Sequence, residues 1–242
     1  MKNLDTPSIA GPAVIYAMGG GFGHVTRACA LVNTLGLTGA TVIASELPHP
    51  TMASHCNCGF RIPSSADLLD CSAFHRWLMA TLAQINPSSF IIDAFPVGVC
   101  GELTPLLARV SCDFWYLARR LKWDRYQQDH NTSSSPFLRG TILLEPLEPE
   151  HERFIRAHSE SIHSLTLEDP EFLPDKDVLM LQEELDRSKQ AAWMVVHSGC
   201  EEECRELVVF AQDLARAKRE DPRLFLVSGL PRMRIDGVST YS

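Results

Sequence analysis

AVIYAMGGGFGHVTRACALVNTL, residues 13–35, decides how the rest of the chain is read. An apolar run from Ala13 to Met18 meets a Gly-rich turn, and a stretch with helical spacing follows from His24 to Leu35. Apolar residues at successive positions fit a strand buried on both faces, as in a parallel sheet. Glycines let the backbone turn tightly and let a ligand approach its amides. The first amides of a helix lack partners within it and carry partial positive charge. Strand, Gly-rich loop and helix N-terminus together form an anion site, suited to a phosphate or a carboxylate.

The loop is not a dinucleotide fingerprint. In the G-x-G-x-x-G register, Gly19 and Gly21 call for a third glycine at position 24, which is His24. Glu46, the acid nearest the end of the second apolar run, is crowded by Pro48 and Pro50. No Gly-Lys-Ser/Thr follows these glycines, which excludes a P-loop.

Outward from this stretch, further apolar runs recur: TVIAS (41–45), FIIDAF (90–95), DFWYLA (113–118), TILLEP (141–146), WMVVHS (193–198) and LFLVSG (224–229). Helical patterns lie between them, at Asp67–Ile85, Gly101–Val110 and Glu201–Glu220. In the last, Cys204, Leu207, Val208, Ala211, Leu214 and Ala215 recur at i, i+3, i+4, i+7, the stripe of a helix that covers a sheet. Alternating strand and helix predicts an α/β fold, a parallel sheet flanked by helices.

Two prolines and a cluster of acids in EDPEFLPDKD (168–177) break that rhythm. The expected organisation is an N-terminal domain over 1–170, a linker over 171–190 and the start of a second α/β unit over 191–242. That last unit shows two strands and one helix, too little to close a core. It is expected to pack on the first domain, to pair with another chain, or to belong to a longer one.

Composition narrows the function. The chain carries 22 Lys and Arg against 30 Asp and Glu, a net charge of −8. A duplex-binding protein needs a basic face to displace counterions, so nucleic acid is not an expected ligand. The polar N-terminus has no apolar run of export length, and no run approaches a membrane span. A cytoplasmic protein is expected, with contact at the inner face of a membrane as its only membrane association. Eight cysteines are spread along the chain. Cys56-x-Cys58 has the wrong spacing for a zinc ribbon, so buried free thiols and no metal are expected.

Several side chains fall where chemistry happens. His24 stands where the loop becomes helix, and a neutral imidazole there accepts a proton from a hydroxyl. Arg27 lies one turn on, to bind a phosphate or to pair with an acid. Asp93 ends a buried strand, where ligands bind in open α/β sheets. Gly98, Gly101 and Glu102 read as a helix start, with Glu102 meeting ligand or the helix dipole. Arg119 and Arg120 follow the DFWYLA strand and are candidates for a diphosphate or an anionic acceptor.

GGGFGHVTRACALVNTL (19–35) resembles the first loop and helix of GT-B glycosyltransferases. It is similar to the G-G-x-G-G-H loop of the family that adds N-acetylglucosamine to a lipid-linked muramyl peptide. FIIDAFPVGVCGEL (90–103) resembles a fourth-strand segment of predicted bacterial glycosyltransferases, and VVHSGCEEECREL (195–207) the first strand, loop and helix of their C-terminal domain. The resemblance implies a Rossmann-like N-terminal half, a nucleotide-sugar donor, a small-molecule or lipid-linked acceptor, and metal-independent, inverting transfer without a cofactor. It implies that His24 is the catalytic base, that Gly20, Gly21 and Gly23 face the acceptor, and that Asp93 orients His24 or an acceptor hydroxyl. It places His197, Ser198 and Gly199 near the donor diphosphate, although Glu201, Glu202 and Glu203 follow directly. The family's main donor contacts lie further along than residue 242, so the expectation is either that a second subunit or self-association completes the C-terminal half or that the sequence is a truncated part of a longer chain. A non-catalytic acceptor-binding subunit and a sugar-nucleotide epimerase are the alternatives.

Overall fold

The computed structural model describes residues 7–48, 50–107, 109–132, 135–169, 176–187, 190–197, 200–228 and 233–241. They fall into two compact units, 1–171 and 172–242.

The first unit is built on seven strands: β1 (Ala13–Ala17), β2 (Ala40–Ala44), β3 (Cys58–Arg61), β4 (Ser89–Asp93), β5 (Asp113–Ala118), β6 (Gly140–Leu143) and β7 (Ile162–Ser164). Every pairing is parallel, in the order β3-β2-β1-β4-β5-β6-β7. The apolar runs predicted as buried strands are the interior of this sheet. Alternate residues point to opposite faces. Val14, Tyr16, Phe90, Ile92, Phe114 and Tyr116 face one core, and Ala13, Ile15, Ala17, Ile91, Trp115 and Leu117 the other.

Helix α1 (Gly23–Leu35) covers the second face with Val25, Ala28, Cys29, Leu31 and Val32, and Gly36 in the left-handed conformation ends it. A short helix α2 (Pro50–His55) follows β2. On the other face lies α3 (Cys71–Ile85), which packs Phe74, Leu78 and Leu82 onto the sheet. The Asp70 carboxylate accepts from the Ala73 amide to cap its start, worth about 1 kcal/mol. Where a helix is expected over Gly101–Val110, only the single turn α4 (Thr104–Leu107) forms. Helices α5 (Trp123–Asp129) and α6 (Pro149–His158) complete that side. His151 of α6 is fully buried, stacked on Trp123 at 4.0 Å between ring centroids, with Nε2 3.0 Å from the Tyr116 hydroxyl. Burial pulls its imidazole down to about 4.

The second unit holds α7 (Lys176–Arg187), β8 (Ala192–His197), α8 (Glu201–Lys218), β9 (Arg223–Ser228) and β10 (Val238–Tyr241). The segment expected as linker thus contains a helix. Glu184 of α7 accepts from Arg223 Nη2 of β9 at 2.7 Å. The expected two strands are three, all parallel, in the order β10-β9-β8. Cys204, Val208, Ala211 and Ala215 of α8 are buried. No described helix is long and apolar enough to cross a membrane.

Candidate functional site

Strands β1 and β4 are neighbours at the point where strand order reverses, β2 lying on the other side of β1. In open parallel sheets this switch point leaves a crevice outside the carboxyl ends of the strands. The loop from Met18 to Phe22 leaves β1 there, and the loop from Ala94 to Leu103 leaves β4.

Asp93 is the last residue of β4, and its side chain is wholly buried. Arg27 and His24 sit three residues apart on α1, so they share a face of that helix. Arg27 donates to both carboxylate oxygens, Nε to Oδ1 and Nη2 to Oδ2, each at 2.7 Å. Such a bidentate, charge-assisted pair fixes both groups in one geometry. His24 Nδ1 lies 2.7 Å from Asp93 Oδ2. A carboxylate paired with arginine has no proton to give, so Nδ1 is the donor in that contact. The tautomer is thereby set, and Nε2 is the bare, accepting nitrogen. Arg27 Nη2 also lies 3.2 Å from Nδ1, which a protonated Nδ1 makes a close approach rather than a hydrogen bond.

The Nε2 edge of the ring rests against Gly19. A Cβ added at Gly19 would sit 2.2 Å from Nε2, so the imidazole occupies the space that any other residue's side chain would need. Phe95 lies on the ring from the β4 side, at 5.7 Å between centroids. The side chains of His24 and Arg27 are 13% and 12% exposed.

Gly19 and Gly20 are also wall to a cavity of about 470 Å³, together with Tyr16, Met18, Ser45, Leu68, Leu69, Asp70, Cys71, Phe74, Val99, Cys100 and Glu102. His24 does not itself line it and meets it through Gly19. The Ser45 hydroxyl donates to the Gly19 carbonyl at 2.8 Å, joining the ends of β1 and β2. Glu102 lies just before the single turn α4 and walls the same cavity. One carboxylate oxygen accepts from the Tyr16 hydroxyl at 2.5 Å and from the Val99 amide at 2.9 Å, and the other from the Cys100 amide at 2.6 Å. Gly98, at φ 94°, makes room for that carboxylate, to which a Cβ there would come within 2.4 Å. Burial, reinforced by Glu102, pushes the Tyr16 phenol well above its usual range, so it stays protonated and donates.

The remaining predicted residues are dispersed. Gly21 takes a left-handed φ of 75° inside the loop, and Gly23 opens α1. Beyond β5, Arg119 is half-exposed and 3.9 Å from Glu145, which also accepts from the Arg120 amide at 2.7 Å. In the second unit, His197 Nε2 lies 3.0 Å from Glu203, whose carboxylate also accepts from the Cys200 amide. Ser198 and Gly199 lie outside the described residues. The sequence does contain an Asp-x-Asp, Asp175-Lys176-Asp177. Of these, Asp175 lies outside the described residues.

Sequence reasoning missed Tyr16 and Ser45. A phenol inside an otherwise aliphatic strand is the available signal for Tyr16, because a buried tyrosine hydroxyl needs a partner. That partner, Glu102, is 86 residues away.

No family model matches the sequence, and no curated protein matches it. Solved structures do. UDP-GlcNAc 2-epimerase from Methanocaldococcus jannaschii, in complex with UDP-GlcNAc and UDP, matches with TM-score 0.53 and 8% identity, over 94% of this chain and 72% of that one. UDP-GlcNAc 2-epimerase from Neisseria meningitidis, bound to UDP-GlcNAc, matches with TM-score 0.52 and 8% identity, over 95% and 72%. The glycosyltransferase SnogD from Streptomyces nogalater follows at TM-score 0.46 and 11% identity, over 96% and 71%. At this identity the likeness establishes the fold alone: a Rossmann-like α/β architecture shared with the two epimerases.

Proposed function

We propose that this chain, built on the GT-B nucleotide-sugar fold, is a glycosyltransferase in which His24 is the base. The observation that carries the reading is the Asp93–His24 contact at the switch point, with Arg27 holding the same carboxylate from the other side. Asp93 holds the proton on Nδ1 and turns the bare Nε2 toward the Gly-rich loop. An acceptor hydroxyl that reaches Nε2 loses its proton there as its oxygen attacks the anomeric carbon of a nucleotide sugar. The bond from that carbon to the diphosphate breaks, and the nucleoside diphosphate leaves. General-base catalysis of this kind contributes about 10²–10⁴-fold. Loop amides at residues 19–23 and the N-terminus of α1 offer donors to an anionic group without a metal. Arg27 positions Asp93, to which its Nε and Nη2 both donate.

A sugar-nucleotide epimerase is the second reading, favoured by the solved epimerases that share the fold. Incubating the full chain with UDP-GlcNAc separates the two. Transfer releases UDP only when an acceptor is present, whereas epimerisation inverts C2 with no acceptor. Turnover that requires a second polypeptide would match the acid-rich start of α8, where Glu201, Glu202 and Glu203 oppose a diphosphate.

A further inference from the structure

The cysteines read as separate buried thiols include three that meet. Cys29 comes from the middle of α1, Cys56 follows α2 directly, and Cys58 opens β3. Their sulphur atoms all lie within 4.8 Å of one another, and those of Cys56 and Cys58 are 3.0 Å apart. Cys29 and Cys56 are 1% and 7% exposed, and Cys58 is half-buried. Zinc–thiolate bonds of about 2.3 Å place ligand sulphurs roughly 3.8 Å apart across a tetrahedral centre. Separations of 3.0 Å and of no more than 4.8 Å lie within about 1 Å of that spacing, so small side-chain rotations bring all three onto one ion. A cavity of about 140 Å³ opens beside Cys29 and Cys56, lined also by His55, Asn57 and Asn33, with room for a water as fourth ligand.

We propose that Cys29, Cys56 and Cys58 form a three-thiolate site for Zn²⁺, its fourth position facing this cavity. Thiolates are soft ligands and select zinc over the hard cations that carboxylates and carbonyls favour. Each ligating thiol releases its proton to solvent and gives a sulphur lone pair to the metal, so no oxidant is consumed. The ion ties α2 and the outermost strand β3 to α1, the helix that carries His24 and Arg27. A sequence search for zinc spacing misses the site, because Cys29 joins it from 27 residues away across a helix and a strand. The site stands apart from the crevice and does not rest on the reading of His24.

Cobalt is the spectroscopic probe. The full chain, stripped with a chelator under reductant, is titrated with Co²⁺ while near-ultraviolet thiolate-to-cobalt bands are followed. Expected are saturation at one ion per chain, displacement by Zn²⁺, and a thermal midpoint that rises with zinc by mass action. Replacing the half-buried Cys58 by serine weakens binding by at least the ~10–100-fold that losing an outer-shell partner costs. Cys56→Ser does the same, and Cys112→Ser, outside the cluster, binds as the parent does. Absent thiolate bands in the parent chain, or bands unchanged in Cys58→Ser and Cys56→Ser, overturn the proposal. So does a disulfide joining Cys56 and Cys58 in the protein as first purified.

Discussion

Each unit contains an apolar strand followed by an amphipathic helix, with a histidine near the junction: His24 in the first turn of α1 and His197 at the end of β8. The two histidines nevertheless stand in different chemistry. His24 is 13% exposed and held by Asp93, a wholly buried carboxylate that reaches it from the neighbouring strand β4. His197 is 33% exposed and paired with Glu203, a carboxylate 58% exposed in the first turn of the helix that follows, α8. What makes a loop histidine a candidate base is therefore the strand beside the loop. A neighbour that delivers a buried acid fixes tautomer and direction, whereas an exposed partner from the helix that follows leaves the ring open to solvent.

The contrast breaks hardest at Asp93. Asp93→Ala leaves Arg27 desolvated and unpaired, a loss of about 3–5 kcal/mol in urea unfolding, with turnover abolished. Gly19→Ala comes next. Its Cβ takes the space of the imidazole, so His24 swings off Asp93, costing about 1–3 kcal/mol as overpacking does and removing most activity. An unfolding midpoint and a rate equal to the parent's would show that the ring is not pinned there. At His197 the expected effect is far smaller: His197→Ala lowers the unfolding midpoint only slightly.

The smallest effect is in Glu203. The His197 hydrogen bond, then the Cys200 amide, hold its carboxyl below the usual 4.5. The stability it adds is thus present above pH 4.5 and lost as pH falls through its lower folded value. A denaturation series of Glu203→Gln against the parent should show a small gap at neutral pH that closes in acid. A gap that widens in acid would give the pair the wrong sign. Buried His151, held near 4, imposes a separate loss on the first unit as pH falls from 6.5 toward 4, because the unfolded chain takes up the proton first.

Interior strands were legible in the sequence because burial on both faces writes a continuous apolar run. β1, β2, β4, β5 and β6 each follow one. The strands missed were CGFR of β3, IHS of β7 and VSTY of β10, and each is a sheet edge. Half-covered strands of three or four residues need few apolar side chains, so no run marks them. β8 misleads in the opposite direction. WMVVHS reads as buried on both faces, yet Met194 and Val196 are 47% and 67% exposed. At the candidate site, the Gly-rich loop, His24 and Asp93 were legible separately, from loop type and from position at a strand end. That Asp93 orients His24 came only from the resemblance, and that the acid paired with Arg27 is this same Asp93 was not legible, since both depend on β4 lying next to β1, 69 positions along the chain from His24 to Asp93. The hydrogen-bond partners of Glu102 were hidden for the same kind of reason. Its partners are loop amides and a phenol from another strand, and no local pattern announces them.

The most direct test of the central claim is the rate of UDP release from UDP-GlcNAc and an acceptor hydroxyl, in the parent chain and in His24→Ala of equal thermal stability. A base on Nε2 predicts release by the parent and a fall of about 10²–10⁴-fold in the variant. Equal rates in the two proteins would contradict it.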